Sequence, residues 1–166
     1  MRLHRIIPAA ALVSSVILLG GCSTITNLIG GDQAVRDADT GQVTESGKAD
    51  AFTIKVGDCF NDQSGEQISD VPAVPCTDPH DNEVYYDLTM PAGDYPGDSA
   101  VTDAAEKGCG DAFSTFVGVP YEESTLEFSY LFPTKDSWEG ADDRLISCIV
   151  YDRSGKVTGS LAGAAR

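Results

Sequence analysis

Basic residues are scarce in this chain. Lys and Arg number 11 against 26 Asp and Glu, for a formal net charge of −15 over 166 residues. Nucleic acids and anionic lipid headgroups are bound through basic surface, so neither is an expected partner. Histidine is nearly missing: of the two present, His4 sits in the N-terminal segment, which leaves His80. No Cys-x-x-Cys pair occurs, and this argues against a zinc site or a thioredoxin-like redox centre. A glycine-rich phosphate loop, Gly-x-Ser-x-Gly and His-Glu-x-x-His are all absent, so no familiar catalytic signature is carried. No cofactor and no metal are expected from these patterns. The apolar run Ile6 to Leu19 is too short for a comfortable membrane span, which takes about 20 residues.

What that run does fit is a bacterial lipoprotein signal peptide over residues 1–21. Arg2, His4 and Arg5 form its positive start, and Ile6 to Leu19 its apolar middle. Leu19-Gly20-Gly21-Cys22 then gives an aliphatic residue, two small residues and a cysteine, the pattern in which Cys22 becomes the lipidated N-terminus. The expected location is the extracytoplasmic face of the cell membrane, held there by the lipid. Cleavage takes two positive charges and no negative ones from −15, so the mature chain carries −17.

Four cysteines remain beyond Cys22: Cys59, Cys76, Cys109 and Cys148. An even number in an oxidising compartment reads as two disulfides, with three pairings open. Cys59 is the obvious partner of Cys76 across one short polar excursion. Cys109 falls on the apolar stripe of an expected helix and Cys148 on the apolar face of an expected strand, which favours Cys109–Cys148.

Residues 22–50 read as the lipidated N-terminus and a flexible linker, rich in Gly, Thr, Ser, Asp and Gln without sustained apolar period. The folded domain is expected over 51–161, with 162–166 a frayed tail. Phe52, Ile54 and Val56 alternate with Thr53 and Lys55 as in a half-buried strand. Ile68 to Cys76 looks extended, and Pro72 and Pro75 place it at a sheet edge. Asp78-Pro79 is a turn, prolonged by Asp81 and Asn82. Glu83 to Thr89 follows as a strand with Val84, Tyr86 and Leu88 on one face.

After a loop with Pro91, Gly93, Pro96 and Gly97 comes a helix that Asp98 or Ser99 can cap. Val101, Ala105, Cys109, Ala112 and Phe116 make its apolar stripe, flanked by Phe113. Gly108 and Gly110 weaken that helix, which points to close approach of helix and sheet near Cys109. Gly118 and Pro120 end it. Ser124 to Phe132 is a strand with Leu126, Phe128, Tyr130 and Phe132 on one face. Pro133 to Asp143 is a polar loop holding Trp138. Leu145 to Tyr151 is a strand with Ile146, Cys148 and Val150 together, and Lys156 to Leu161 makes a short last one. The expected fold class is α+β: a small, mostly antiparallel sheet, one main helix across it, and two disulfides.

Val56-Gly57-Asp58-Cys59-Phe60, Val74-Pro75-Cys76-Thr77-Asp78-Pro79-His80-Asp81-Asn82-Glu83-Val84, Cys109 with Phe113, Pro133-Thr134, Ser137-Trp138, and Asp143-Arg144 with Cys148 resemble the septum formation family over about residues 52–151. These are extracytoplasmic actinobacterial domains, on lipoproteins or single-span membrane proteins. The resemblance implies a link to cell division and no particular reaction. Where the family usually has glycine before Asp-Arg, this chain has Asp142.

The chemistry-bearing candidates are Pro79, His80, Glu83, Trp138, Asp143 and Arg144. His80 among Asp78, Asp81 and Glu83 is a metal ligand, a general base, or a turn histidine bonded to backbone; the last is favoured, because neighbours in one turn seldom converge on one point. Glu83 is half of a carboxylate pair or a solvated acid at a strand end, and the solvated acid is favoured. Trp138 is a binding aromatic in a loop or packs over the core edge. Asp143 and Arg144 form a carboxylate-binding fork or brace the Trp138 loop. A Cys76–His80 nucleophile requires a free thiol, which the even count opposes. The favoured function is a non-enzymatic binding or scaffolding domain with an envelope or division protein as partner. The alternatives are a cation- or small-ligand-binding lipoprotein and an envelope hydrolase using scattered carboxylates. If Cys22 is the anchor, Cys22→Ala abolishes lipid labelling and holds the precursor at its uncleaved size; continued cleavage and membrane retention in that variant would refute the assignment.

Overall fold

Ile146, Ser147, Cys148, Ile149 and Val150 are consecutive and all buried. Side chains alternate along a strand, so five buried neighbours require cover on both faces of the sheet. The computed structural model, which describes residues 33–64 and 68–166, shows how that cover is built. In chain order the elements are β1 (Val35–Arg36), β2 (Val43–Glu45), β3 (Gly47–Asp50), β4 (Cys59–Phe60), β5 (Asp70–Val74), β6 (Asn82–Thr89), α1 (Asp98–Val117), a 3-10 turn (Tyr121–Glu123), β7 (Leu126–Leu131), α2 (Lys135–Ala141) and β8 (Leu145–Asp152). Six strands form one sheet in the order β3-β5-β4-β6-β8-β7, and every neighbouring pair is antiparallel. No described helix is long and apolar enough to cross a membrane.

Helix α1 covers the first face. Val101, Ala105, Cys109, Phe113 and Val117 are fully buried against Tyr85, Leu126, Ile146, Cys148 and Val150. The Cys109–Cys148 disulfide joins helix to sheet as expected. Phe113 belongs to the core, whereas Ala112 and Phe116 pack only partly buried at its margin. A Cβ at Gly108 would meet Leu88 Cδ2 at 2.6 Å, so the glycine is what lets α1 approach β6. No side chain caps the helix start: the N-cap is Gly97 rather than Asp98 or Ser99. Gly118, at φ 95°, closes the helix as its left-handed C-cap.

The second face is covered by residues expected to be a tether. The described part of the expected linker, residues 33–50, is folded. β1 and β2 pair with each other, and β3 pairs with β5. Ala34, Val43, Ala49 and Ile54 pack with Phe60, Val71, Ala73, Val84 and Ile149. The polar composition of this stretch misled because few apolar residues suffice when they close a core that the sheet already presents. Arg36 secures the arrangement. Its guanidinium donates to Asp58 Oδ1 at 2.6 Å and to Oδ2 at 2.7 Å, a bidentate pair. The Lys55 amide donates to Asp58 as well, and Asp58 is only 2% exposed. Cys22 and the signal-like segment lie outside the described residues.

Adding β3 outside β5 moves the proline-bearing strand off the sheet edge. Pro72 now sits opposite Lys48. Phe52 to Val56 is no strand: Ile54 is buried, but Phe52 and Val56 are half exposed. The expected common face of Val84, Tyr86 and Leu88 is also broken. The β6–β8 register shifts between Val84 and Tyr86, so Val84 joins the second-face cluster while Tyr85 and Leu88 join the first. Beside them Asp87 has its carboxyl raised above the usual range, by burial first and by the charge of Asp58.

The C-terminal tail is docked rather than frayed. Gly163 and Ala165 amides donate to the Phe116 and Val117 carbonyls, both at 2.8 Å. These are the last carbonyls of α1, which have no partner inside the helix. Arg166 pairs with Asp152, whose carboxyl is held down to about 2 by Ser154 and Arg166. Before the tail, Lys156 to Leu161 makes one isolated bridge, Val157 to His80, instead of a strand.

Arg36→Ala leaves the buried Asp58 carboxylate without its cation. The expected loss is about 2–3 kcal/mol of unfolding free energy, read as a lower urea midpoint. A flexible linker would show no change.

Candidate functional site

Two clusters gather the candidate residues, one at each end of β6 and β8. The first grows from the turn Cys76 to Asp81. The Asp78 amide bonds to the Pro75 carbonyl at 2.8 Å, and Pro79 is exposed at the turn's tip. Cys76 is bonded to Cys59, which brings the turn against β4. His80 is fully buried. Its backbone exchanges two hydrogen bonds with Val157, each 2.9 Å, and its Nδ1 lies 2.8 Å from the Asp78 carbonyl. Nε2 has no hydrogen-bond partner among the described residues.

Glu83 departs from expectation. It is 2% exposed and not a solvated acid. Its Oε1 accepts from Ser160 Oγ and its Oε2 from the Leu161 amide, both at 2.6 Å. A buried carboxylate is tolerable where its oxygens are hydrogen-bonded in this way. The effect is to pin the C-terminal segment onto β6. Ligand atoms of Cys59, His80 and Glu83 lie within 4.8 Å of one another. The Cys59 sulfur is committed to Cys76, so no thiolate is available to complete a metal site. His80 and Glu83 act together as a clamp between turn and tail.

The second cluster surrounds Trp138, which lies on α2 and not in a loop. Thr134 and Ser137 form a reciprocal capping box that starts this short helix. Trp138 is 3% exposed. Its Nε1 donates to the Gly93 carbonyl at 2.9 Å, the Tyr95 ring meets it edge-on at 5.6 Å, and Arg144 stacks 3.8 Å from its centroid. Arg144 also donates to the Trp138 and Asp143 carbonyls, both at 2.8 Å, and pairs with Asp142 at 2.9 Å. Asp143 accepts from Ser137 Oγ at 3.0 Å and from the Leu145 amide at 3.1 Å. Asp143 and Arg144 therefore form no fork between them; each braces the tryptophan helix. Asp142 sits at φ 54°, ψ 29°, the left-handed C-cap of α2. A glycine suits that conformation without penalty, and aspartate tolerates it better than most residues.

A shallow cleft of about 510 Å³ opens beside this cluster, lined by Tyr95, Lys135, Trp138, Glu139 and Arg144 among others. Two partners that organise these clusters escaped the sequence reading: Ser160 and Tyr95. Each is distant in sequence from the residue it serves, and only the Thr134-x-x-Ser137 spacing carried a local signal.

Because Trp138 is a buried anchor, Trp138→Ala removes packing from the α2–β8 junction. It is expected to destabilise the domain by about 3–5 kcal/mol in a urea titration, and not to leave the fold intact.

The septum formation family model matches residues 30–165, which takes in β1 to β3 and the docked tail as well as the cysteine core. No curated protein and no solved structure matches the chain. With the match covering most of its length, and both predicted disulfides formed, the chain belongs to the septum formation family.

Proposed function

We propose that this protein is a lipid-anchored extracytoplasmic module that works by binding another envelope or division protein and catalyses no reaction. The observation that carries the reading is its exposed apolar surface. Phe52, Val56, Tyr86 and Phe132 are 53%, 50%, 42% and 41% exposed, respectively. Meanwhile His80, Glu83, Trp138, Asp143 and Arg144 are occupied in bonds that hold the fold. Large exposed aromatics on an otherwise acidic domain suit contact with a partner. With lipid on Cys22, ten residues lie between the anchor and Gln33. The domain then stays within about 40 Å of the bilayer surface even at full extension of that stretch. Membership in the septum formation family supports a place in cell division. The net charge of −17 left after cleavage favours fast encounter with a basic partner more than tight holding.

The cleft beside Trp138 favours a second reading, a small-ligand- or cation-binding lipoprotein. A fluorescent fusion imaged in dividing cells, with crosslinking and partner identification, separates the two. Enrichment at the septum and recovery of a partner that loses yield in Phe52→Ser support the binding domain. Even distribution around the cell with no crosslinked protein refutes it and leaves the ligand reading.

A further inference from the structure

The six-stranded sheet ends in β3 on one side and β7 on the other. The β3 edge is occupied: Gln33 bridges Lys48, and the Ala34 amide donates to the Lys48 carbonyl at 2.9 Å. On its outer side β7 has no strand among the described residues. Its pairing with β8 runs in unbroken register from Leu126 to Leu131. It contains no proline, no lysine and no bulge, the devices that usually discourage an edge from pairing further. Tyr121 covers only the start: its ring lies 4.9 Å from Phe128, and its hydroxyl donates to Glu127. From Phe128 to Leu131 the outer backbone of β7 has no hydrogen-bond partner among the described residues.

A groove of about 430 Å³ runs along that open part, between β7 and α1. It is lined by Glu106, Phe128, Ser129 and Tyr130. The Tyr130 ring meets the exposed Phe132 edge-on at 5.8 Å, which extends the apolar floor. The rim is acidic. Glu106 has no cationic partner among the described residues, and Asp103 adds its charge near the Tyr130 hydroxyl. The one lysine beside it, Lys107, is paired with Asp111 at 2.5 Å.

We propose that Phe128 to Phe132 is a docking edge for an extended, lysine- or arginine-bearing segment of the protein partner. Backbone hydrogen bonds to the edge supply affinity, and alternate side chains of the guest enter the groove. A strand presents every second side chain to one face, so cationic residues at alternate positions reach Glu106 while those between face away. A second copy of this chain fits poorly, because it would bring an equally acidic rim to the same place. This inference rests on the binding-domain reading and names the surface that reading uses.

The test is amide hydrogen exchange on the full-length protein in detergent, with the probe peptide Lys-Val-Lys-Val-Lys-Val and its Glu-Val counterpart. The Lys-Val peptide is expected to slow exchange across Phe128 to Phe132 and not in β3. The Glu-Val peptide is expected to do nothing, and Glu106→Lys to weaken the Lys-Val effect at least tenfold. Equal protection by both peptides, none by either, or indifference to Glu106→Lys overturns the site. Protection that grows with protein concentration without peptide also overturns it and assigns the edge to a second copy. In cells, a photo-crosslinking residue in place of Ser129 or of Phe52 separates this proposal from the broader one. A partner captured only from the Phe52 position removes the β7 site and leaves the binding domain standing; capture from neither removes both.

Discussion

The central strands of this domain are apolar on both faces, and among the described residues only one long helix is there to cover them. That shortage governs the architecture. Helix α1 closes one face and is bolted there by Cys109–Cys148. The other face would be wet without the N-terminal residues, so β1, β2 and the turn around Ile54 fold over it. Burial of these few side chains is modest, at about 1.5–3 kcal/mol for each fully buried aliphatic, and the ordered backbone works against it. The Arg36–Asp58 pair and the Cys59–Cys76 bond hold the cover in register. In chain-entropy terms the two disulfides contribute roughly 3 and 4 kcal/mol for loops of this size, comparable with the whole net stability of a small domain.

Polar side chains complete the frame in places where a larger protein would use apolar ones. Glu83 and His80 hold the returning C-terminal segment, and the segment's amides in turn satisfy the open end of α1. Arg144 braces Trp138 through stacking and two backbone carbonyls. Residues of types that serve catalysis elsewhere are here used as joints. Their removal acts on folding first, so loss of function in such variants is read correctly only beside a stability measurement.

The surface left over is acidic, with a few exposed aromatics and one open sheet edge. Acidity of this degree sets a repulsive field between identical domains. The aromatics and the edge leave apolar side chains and strand backbone accessible beside that acidic surface.

Much of this was legible from the residues alone. The even cysteine count pointed to two disulfides, and the short excursion between Cys59 and Cys76 and the matched apolar faces around Cys109 and Cys148 favoured the pairing that is formed. The 3.6-residue stripe from Val101 onward pointed to α1, and alternation pointed to strands around Cys148, though not to the burial of both faces of β8. These signals are local, set by periodicities that a helix or strand cannot escape. Tertiary structure alone decided that residues 33–50 belong to the fold, because a polar ribbon becomes ordered only when a waiting sheet face receives it. It decided that Glu83 is buried, since its partners Ser160 and Leu161 stand far along the chain. It decided, too, that Trp138 is an anchor and not a probe of the surface: seven residues inside an expected loop form a helix that the Thr134–Ser137 capping box starts and that the packing of Tyr95 and Arg144 against the ring fixes in place.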